Sequence, residues 1–532
     1  MRPASSPPES RAGGSRAERR PLLIAALLAA VGAATVAIVQ LRDGIVPLLD
    51  TVTYWSGAEA IASGRPFTTQ LAPSFTNFDA IEFLNRGGRL PFVDFPVGYP
   101  LVAGSLGALI GVRAAMHVLV VVAVAAVAAL VVLGDSRWSG RREGSSRIDI
   151  PRLVWLAAVG AALAAMPAMR LVTQGALSES LFCASVLGLV ITLVRYREGG
   201  RWWPVAVLVV VTSLFRFVGA PLALVAGWEH FRRTGERRRS FGAATLLMIP
   251  AAINIVLASA NGGGHNAGWR GLDRVDLEVF TRSVGGWFDS RQGDIRRTYF
   301  TGEGPTWWSW IVALAWIGTV VVVVLGYLRG RSRLPAASQI ALVATAVVTS
   351  GLVAGMMGFD ALVIADNRLM LPSGVLSLAA LAWATPTSHR TLGLAAVTTV
   401  VWFAVAVDPS NLAERFSDDD TVPVYSRVAT ELDVSIVISN DADGVHWDTG
   451  LPAAYAPTPV KMLTGENVDI EPIYRNLPCA LATNDGAVVL SDQAMFFAAD
   501  LELLDDQVDS GRLLRTDRDG AIVYQPTDSA CD

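Results

Sequence analysis

The chain has 532 residues, of which 52% are hydrophobic and 17% are charged, and its mean hydropathy is +0.43. Soluble globular domains carry about 25% charged residues, so the composition excludes an ordinary soluble protein. It also excludes a disordered chain, which would have more charged residues, and a disulfide-rich secreted scaffold, which would have more cysteines. A nucleic-acid-binding protein is excluded because it would have an excess of basic residues.

Charge is distributed unevenly along the chain. Residues 408–532 contain 24 acidic and 7 basic residues, a net charge of −17. The remaining 407 residues contain 23 acidic and 36 basic residues, a net charge of +13. This asymmetry predicts a basic tail at 1–20, a membrane domain at 21–407 and an acidic domain at 408–532.

Long apolar runs predict a bundle of transmembrane helices, because about 20 helical residues are needed to cross the hydrocarbon of a bilayer. The first run is longer than a signal-peptide core and therefore predicts an uncleaved anchor. The predicted spans are 21–41, 112–133, 153–170, 177–194, 241–260, 307–328, 338–358, 369–385 and 391–407. The stretch 203–229 fits either one tilted helix or two short helices hinged at Arg216-Phe-Val-Gly219.

Arginine-rich loops choose between these two possibilities, because cytoplasmic loops collect arginine. All the basic loops can be cytoplasmic only if 203–229 crosses the membrane twice; these loops are 134–152, 195–197, 230–240 and 329–333. We therefore predict eleven helices in the plasma membrane, with the N-terminus cytoplasmic and residues 408–532 extracytoplasmic. The hinge then lies near the outer surface, so Arg216 is not placed in the middle of the membrane. A charged side chain at the bilayer centre would cost roughly 2.5–3.5 kcal/mol.

The predicted topology leaves two long segments outside the membrane, 42–111 and 261–306. In the second segment, apolar residues between 272 and 287 follow helical spacing and predict a helix on the outer interface. Membrane-edge acids and outer loops of this size indicate chemistry at the outer face.

Five short segments carry the candidate chemistry, and all lie within 21–407. They are Asp50-Thr-Val-Thr-Tyr54-Trp55, Pro96-Val-Gly-Tyr-Pro100, Leu177-Ser-Glu-Ser-Leu-Phe182, Arg216-Phe-Val-Gly219 and Asn367-Arg-Leu-Met-Leu-Pro372. In this order the set resembles the GT-C class of polytopic glycosyltransferases, particularly the protein mannosyltransferase-like and aminoarabinose transferase-like branches. The resemblance implies an inverting transfer of a sugar from a polyprenyl-phosphate donor to an extracytoplasmic glycan, lipid or protein.

This chemistry needs a base for the acceptor hydroxyl and cations for the leaving phosphate. We predict Asp50 as the base, since a positioned carboxylate can accept the proton. Arginine binds two phosphate oxygens with its planar fork, so Arg216 and Arg368 are the predicted phosphate partners. The predicted supporting or sugar-contacting residues are Tyr54, Asp94, Tyr99 and Glu179.

Each of these residues also has a purely structural interpretation. Asp50 also fits a solvated acid at a helix exit, although the family pattern favours the catalytic role, and Arg216 and Arg368 are equally anchors at the membrane interface. Glu179 lies at the start of a predicted helix, where a carboxylate interacts favourably with the helix dipole.

Neither a metal site nor a cofactor site is predicted, although a divalent-metal requirement stays open. The five histidines show no ligand spacing. The segment Asn440-Asp-Ala-Asp-Gly444 resembles part of a calcium loop but lacks the closing glutamate, and we predict a turn there.

Residues 408–532 predict a small α/β domain. The segments 434–438, 487–490 and 521–524 are strand-like, and 494–509 follows helical spacing. Cys479 and Cys531 lie together on the predicted oxidising side and are expected to form a disulfide, whereas Cys183 lies in a membrane helix.

Two other functions fit a polytopic membrane protein. A lipid or solute transporter would need charges along a path through the membrane, whereas the candidates here lie on one side. A non-catalytic envelope scaffold would act through its acidic domain, and Asp50, Arg216 and Arg368 would then each be replaceable.

The topology is tested with reporter fusions at two positions. A reporter fused after Ser240 should be cytoplasmic and one fused after Pro409 should be extracytoplasmic, because an odd number of crossings separates the N-terminus from the C-terminal domain. Reporter activity in each compartment is the measurement. The same location for both fusions would contradict the eleven-helix topology.

Overall fold

The computed structural model describes residues 16–72, 80–92, 95–135, 149–261, 334–358, 367–385, 424–459, 469–491 and 499–532. Up to residue 385 the described chain is mainly helical. Its helices are α1 (Arg16–Gln40), α2 (Leu49–Ala62), α3 (Ala80–Asn85), α4 (Gly98–Ile110), α5 (Val112–Leu133), α6 (Ile150–Ala165), α7 (Pro167–Gln174), α8 (Glu179–Arg197), α9 (Trp203–Phe215), α10 (Leu222–Thr234), α11 (Arg237–Asn261), α12 (Ala336–Gly358) and α13 (Asn367–Ala384).

Several of these helices are membrane helices by length and composition. Within the described residues, α1, α5 and α8 are long and apolar enough to cross a bilayer, and α6 with α7 forms a fourth candidate bent by 58°. The protein is therefore a membrane protein. The count of eleven spans stays a prediction; the predicted spans 307–328 and 391–407 and the predicted interfacial helix at 272–287 lie outside the described residues.

The stretch 203–229 forms two short helices of 13 residues each, which corresponds to the hinged alternative of the sequence analysis; that each of them crosses the membrane stays a prediction. Helix α9 ends at Phe215, Arg216 is extended with φ −149° and ψ 135°, and α10 follows a short 3₁₀ turn at Phe217–Gly219. Gly219 is required at this turn because a Cβ atom there would lie 2.5 Å from the Thr212 carbonyl oxygen.

The predicted single span at 153–170 is broken in the structure. Helix α6 ends at Ala165, Met166 is extended, and α7 begins at Pro167. A proline disfavours helical backbone in the residue before it, which accounts for the break. The segment from Pro167 to Gln174 therefore runs in a new direction and leads directly to the turn before α8.

The loop 42–111 is more structured than the sequence predicted. It contains α2, α3 and α4 together with the short strands β1 (Thr68–Thr69), β2 (Leu71–Ala72) and β3 (Leu90–Pro91). Helix α4 is apolar but has only 13 residues, which is too few to cross the hydrocarbon. The search for apolar runs of membrane-spanning length therefore did not predict it.

A six-stranded sheet lies at one end of the bundle. The chain after residue 423 contributes α14 (Val424–Glu431), β4 (Ile436–Ser439), α15 (Ala442–Thr449), β5 (Ala453–Tyr455), α16 (Glu471–Thr483), β6 (Gly486–Ser491), α17 (Leu501–Asp509), β7 (Leu513–Arg518) and β8 (Ala521–Pro526). The strand order is β2-β5-β4-β6-β8-β7, parallel from β2 to β6 and antiparallel beyond. The edge strand β2 comes from the loop 42–111, so the sheet is shared between the two parts of the chain.

Local details of the sheet region differ from the sequence expectations in two places, and the expected disulfide is present. The predicted turn at 440–444 is only partly correct: residues 440 and 441 form a turn, and α15 begins at Ala442, where Asp441 caps it by accepting a hydrogen bond from the Gly444 amide. Helix α17 covers only the end of the predicted helix at 494–509, and residues 492–498 lie outside the described chain. Cys479 in α16 is disulfide-bonded to Cys531 after β8, and Cys183 is a buried thiol.

A buried arginine joins three helices at the other end of the bundle. Arg152, which is 2% exposed, donates to the Asp135 carboxylate at 2.9 Å and to the carbonyl oxygens of Trp383 and Thr385 at 2.9 and 2.6 Å. The two carbonyls end α13, where no further helical amide is available to pair with them. Arg152 therefore links the end of α5, the start of α6 and the end of α13.

Replacing Arg152 with leucine should lower the free energy of unfolding by about 3–5 kcal/mol, because the buried Asp135 carboxylate loses the cation that contacts it at 2.9 Å. Thermal unfolding in detergent measures the loss. The double variant Arg152→Leu/Asp135→Leu should recover part of it. The exposed Arg239–Glu236 pair supplies the control, since Arg239→Leu removes a surface ion pair of little worth. Equal midpoints for Arg152→Leu and Arg239→Leu would contradict this role.

Candidate functional site

Helix α2 forms the centre of the candidate site at the end of the bundle that carries the sheet. The chain leaves α1, crosses a short extended link and starts α2 at Leu49, which places Asp50 in the first turn of the helix. A carboxylate in this position interacts favourably with the helix dipole. Asp50 is half-buried, and the residues that follow it, from Thr51 to Ala58, are buried.

Two side chains and one backbone amide hold the turn between α7 and α8 against this helix. Thr51 donates to the Gly175 carbonyl at 2.6 Å, Tyr99 donates to the Ala176 carbonyl at 2.5 Å, and the Val46 amide donates to the Gln174 backbone carbonyl at 2.9 Å. Ala176 has a φ of +46°, which is strained for a residue with a Cβ atom. The hydrogen bonds offset this strain and set the direction in which the chain enters α8.

The turn delivers two polar residues to the site, Ser178 and Glu179. The Tyr54 hydroxyl lies 2.9 Å from Ser178 Oγ, and its ring packs edge-on against the ring of Tyr99 with centres 5.0 Å apart. Glu179 is 1% exposed and accepts a hydrogen bond from Arg216 at 3.0 Å. Segments around residues 54, 99, 179 and 216 therefore meet in one cluster.

Arg216 reaches this cluster because α9 stops just before it. Its guanidinium also lies 3.4 Å from Ser178 Oγ, and its side chain is 14% exposed. Gly98 lets the start of α4 approach the end of α9, since a Cβ atom there would lie 2.5 Å from the Leu214 carbonyl oxygen. This close contact gives the glycine of the Pro96-Val-Gly-Tyr-Pro100 segment a packing role.

Electrostatic contacts connect Asp50 with the rest of the cluster. The Tyr54 hydroxyl interacts with the charges of Asp50, Glu179 and Arg216. The site therefore combines a half-buried carboxylate, a buried ion pair and two buried phenols at the edge of an apolar bundle. Such a set can accept a proton and can hold an anionic group.

Two predicted site residues are not placed by the structure. Asp94 lies outside the described residues. Arg368 is in the first turn of α13, and its side chain lies outside the described part of the chain. Among the described residues, no group of three or more His, Cys, Asp or Glu side chains is arranged to hold a metal ion.

The sequence analysis missed a contact between α2 and the sheet region. Trp55 packs against His446 and Trp447 of α15, with ring centres 5.0 and 5.3 Å apart. The Arg113 side chain at the start of α5 donates to the Trp447 carbonyl, and its Cζ atom lies 5.0 Å from the Trp55 ring centre and 4.2 Å from that of Trp447. The sequence signal for this contact was Trp55 itself, but its partners lie almost 400 residues away.

The docked helix α15 carries three titratable groups with shifted pKa values, Asp443, His446 and Asp448, and burial is the largest cause for each. Burial raises the pKa of Asp443, a hydrogen bond from Tyr455 opposes the shift, and the charges of Asp441 and Asp50 increase it. Burial lowers the pKa of His446 to about 4, against the hydrogen bond to Leu451 and with the help of the Arg113 charge. At neutral pH the His446 ring is therefore uncharged.

Comparisons with known proteins give a fold and no close relative. No protein-family profile matches the chain, and no curated protein matches it by sequence. The archaeal oligosaccharyltransferase AglB from Archaeoglobus fulgidus, solved with an inhibitory peptide and a dolichol-phosphate, superposes with a TM-score of 0.51 and 11% identity over 97% of this chain and 75% of that chain.

Two structures of ArnT from Cupriavidus metallidurans are also similar, each at 13% identity. The one bound to undecaprenyl phosphate has a TM-score of 0.47 and covers 97% of this chain and 100% of that chain. The apo structure has a TM-score of 0.43 and covers 95% and 98%. With AglB as the comparison, the chain has a fold similar to that of this oligosaccharyltransferase, which agrees with the fold that its sequence motifs implied.

Removing Arg113 should loosen α15 from α2. Arg113→Ala deletes one hydrogen bond and the contact with two indole rings, so amide hydrogen exchange in residues 442–449 should accelerate roughly three- to tenfold. Exchange measured by mass spectrometry on the full chain reports this opening. Arg233→Ala is the matched control, because Arg233 lies 4.3 Å from the Tyr196 ring centre at the opposite end of the bundle. Unchanged exchange in α15 would show that the docking does not depend on Arg113.

Proposed function

We propose that the protein is a membrane glycosyltransferase that moves a sugar from a polyprenyl-phosphate donor to an extracytoplasmic acceptor. One observation carries the proposal: Asp50, Tyr54, Tyr99, Glu179 and Arg216, predicted from four separate segments, meet at one end of an apolar helix bundle with the GT-C fold. The dolichol-phosphate bound in the AglB structure supports a polyprenyl-phosphate donor here.

In the proposed reaction, Asp50 acts as the general base. It accepts the proton of an acceptor hydroxyl as the oxygen of that hydroxyl forms a bond to the anomeric carbon. The bond between that carbon and the phosphate oxygen breaks, and the polyprenyl phosphate leaves with the electron pair. A single displacement of this kind inverts the anomeric configuration. A half-buried position supports this role, because the carboxylate is accessible to substrate and held by the first turn of α2.

Arg216 and Arg368 are the proposed phosphate partners. The buried carboxylate of Glu179 holds the Arg216 guanidinium in one position, so Glu179 is a positioning residue in this scheme. A guanidinium fixed in this way loses little side-chain entropy when a phosphate binds. Arg368 is included because it opens α13 within the last of the family-like segments, and Asp94 stays a candidate sugar contact.

The two tyrosines contribute in different ways. Tyr99 is fully buried and donates to the Ala176 carbonyl, and we therefore assign it a supporting role at the turn before α8. Tyr54 is also buried and shares a hydrogen bond with Ser178. We propose that Tyr54, through its hydrogen bond with Ser178, fixes the positions of Ser178 and Glu179 relative to the Arg216 guanidinium.

The proposed setting is the plasma membrane, with the site facing outward. The N-terminal tail 1–20 is cytoplasmic, the bundle 21–407 holds the donor, and the acidic region 408–532 is extracytoplasmic in this proposal. The acceptor is a glycan, lipid or protein of the cell envelope. Helix α8 supports one-sided chemistry, because its 19 residues, about 28 Å, separate Glu179 from Arg197 at the opposite end.

Asp50→Asn tests the base directly. Asparagine keeps the size and polarity of the side chain but cannot take the proton, so turnover should fall by about 10²- to 10⁴-fold while donor binding persists. Turnover is measured with purified protein and a panel of labelled polyprenyl-phosphate sugars. Asp43→Asn is the matched control, because Asp43 is an exposed acid seven residues earlier that pairs with Arg42.

Near-normal turnover in Asp50→Asn would exclude Asp50 as the base and transfer that role to Asp94. Arg368→Ala gives a contrasting result in the same assay, since loss of a phosphate partner should weaken donor binding more than it slows turnover of bound donor. No transfer by the unsubstituted protein from any donor of the panel would overturn the proposed function.

A further inference from the structure

The contact between α2 and α15 leaves three buried polar atoms without a hydrogen-bond partner among the described residues. They are Nε1 of Trp55, Nε2 of His446 and Oδ1 of Asp443. The three residues are 7%, 2% and 7% exposed. Buried polar groups are paired in the great majority of cases, because an unpaired group loses its hydration without compensation. Three unpaired atoms in one contact therefore indicate a binding site for a polar ligand.

Two of these atoms have complementary roles. The Nδ1 atom of His446 lies 2.6 Å from the Leu451 carbonyl oxygen, which only accepts, so Nδ1 carries the proton. In a neutral ring, Nε2 is then an acceptor. The indole Nε1 of Trp55 is a donor only, and the two rings have centres 5.0 Å apart. A hydroxyl group has the matching chemistry for both atoms, since it can accept from Trp55 and donate to His446.

Asp443 extends the same arrangement by one helical turn. It lies three residues before His446 in α15, so the two side chains are neighbours on one face of the helix. Tyr455 donates to Oδ2 of Asp443 at 2.8 Å, which leaves Oδ1 for a second group. A ligand with two neighbouring hydroxyl groups fits the three atoms.

The arrangement is also close to the proposed base. Asp50 lies in the turn of α2 that precedes Trp55, and its charge interacts with Asp443. A hydroxyl-bearing molecule held between Trp55 and α15 would therefore be bound to the same helix, α2, that carries the proposed base. Such a molecule lies on the acceptor side of the reaction and not on the phosphate side, where Arg216 and Glu179 form their ion pair.

We propose that Trp55, His446 and Asp443 form a subsite that binds neighbouring hydroxyl groups of an acceptor sugar. The proposal rests on the proposed function and narrows it, because it makes the acceptor a glycan. It also gives the region after residue 423 a part in substrate binding, through α15.

Saturation-transfer NMR on the full chain in lipid nanodiscs tests this subsite. The probes are methyl α-D-mannopyranoside and methyl α-D-xylopyranoside, a hexose and a pentose with neighbouring hydroxyl groups. At least one probe should receive saturation from the unsubstituted protein. Trp55→Phe keeps an aromatic ring but removes the donor, so the apparent affinity should fall about five- to tenfold.

Trp202→Phe is the matched control. Trp202 packs against His230 with ring centres 4.8 Å apart, the same kind of Trp–His contact at the opposite end of the bundle. This variant should bind the probe as the unsubstituted protein does. His446→Asn gives an independent test if Trp55→Phe is unstable, because asparagine retains a donor near the position of Nδ1 and lacks Nε2. Thermal unfolding of each variant accompanies the binding measurement.

Two results would overturn the subsite: no saturation transfer to either probe, or equal transfer with the unsubstituted protein, Trp55→Phe and His446→Asn. A changed unfolding midpoint with unchanged probe binding would likewise show that the three atoms have only a structural role. The proposed function is separable from this outcome. If the protein turns over a polyprenyl-phosphate sugar and this turnover does not depend on Trp55, the proposed function stands and the subsite is rejected. If a probe binds in a Trp55-dependent way but no turnover is found, the sugar-binding subsite stands and the proposed function is rejected.

Discussion

The turn between α7 and α8 must have its backbone carbonyls paired, and the rest of the site depends on how this is done. At the edge of an apolar bundle there is little water to satisfy such groups, so they need partners from the protein. Thr51 and Tyr99 supply these partners from α2 and α4. Because the same turn contains Ser178 and precedes Glu179, the requirement to pair backbone groups also positions the polar side chains of the site.

A second constraint is the cost of charge in this environment. Glu179 is almost fully buried, and an isolated carboxylate in that position would be strongly destabilising. Its ion pair with Arg216 reduces the cost, and the break between α9 and α10 is what allows Arg216 to reach it. The opposite end of the bundle solves a related problem with Arg152 and Asp135. There the guanidinium also pairs two carbonyls at the end of α13, whereas Arg216 lies beside Ser178 in the candidate site.

The sheet region is connected to the bundle through α2. One edge strand of the sheet, β2, comes from the loop after α2, and Trp55 of α2 packs on α15. Helix α2 therefore contacts the α7–α8 turn through Thr51 and Tyr54 and the sheet region through Trp55. Its position between the two explains why it is buried along most of its length although it lies at the end of the bundle.

The sequence by itself determined the membrane class, the apolar helices and the short segments that carry the candidate chemistry, because these follow from local composition and spacing. It also predicted the two helices at 203–229, since loop charge constrains the parity of crossings. Only the tertiary structure decided that Glu179 pairs with Arg216, that Tyr99 supports a carbonyl, and that α15 packs on Trp55. These contacts join residues 37, 77 and almost 400 positions apart, and their geometry depends on where helices break and which backbone groups remain unpaired, which no local pattern encodes.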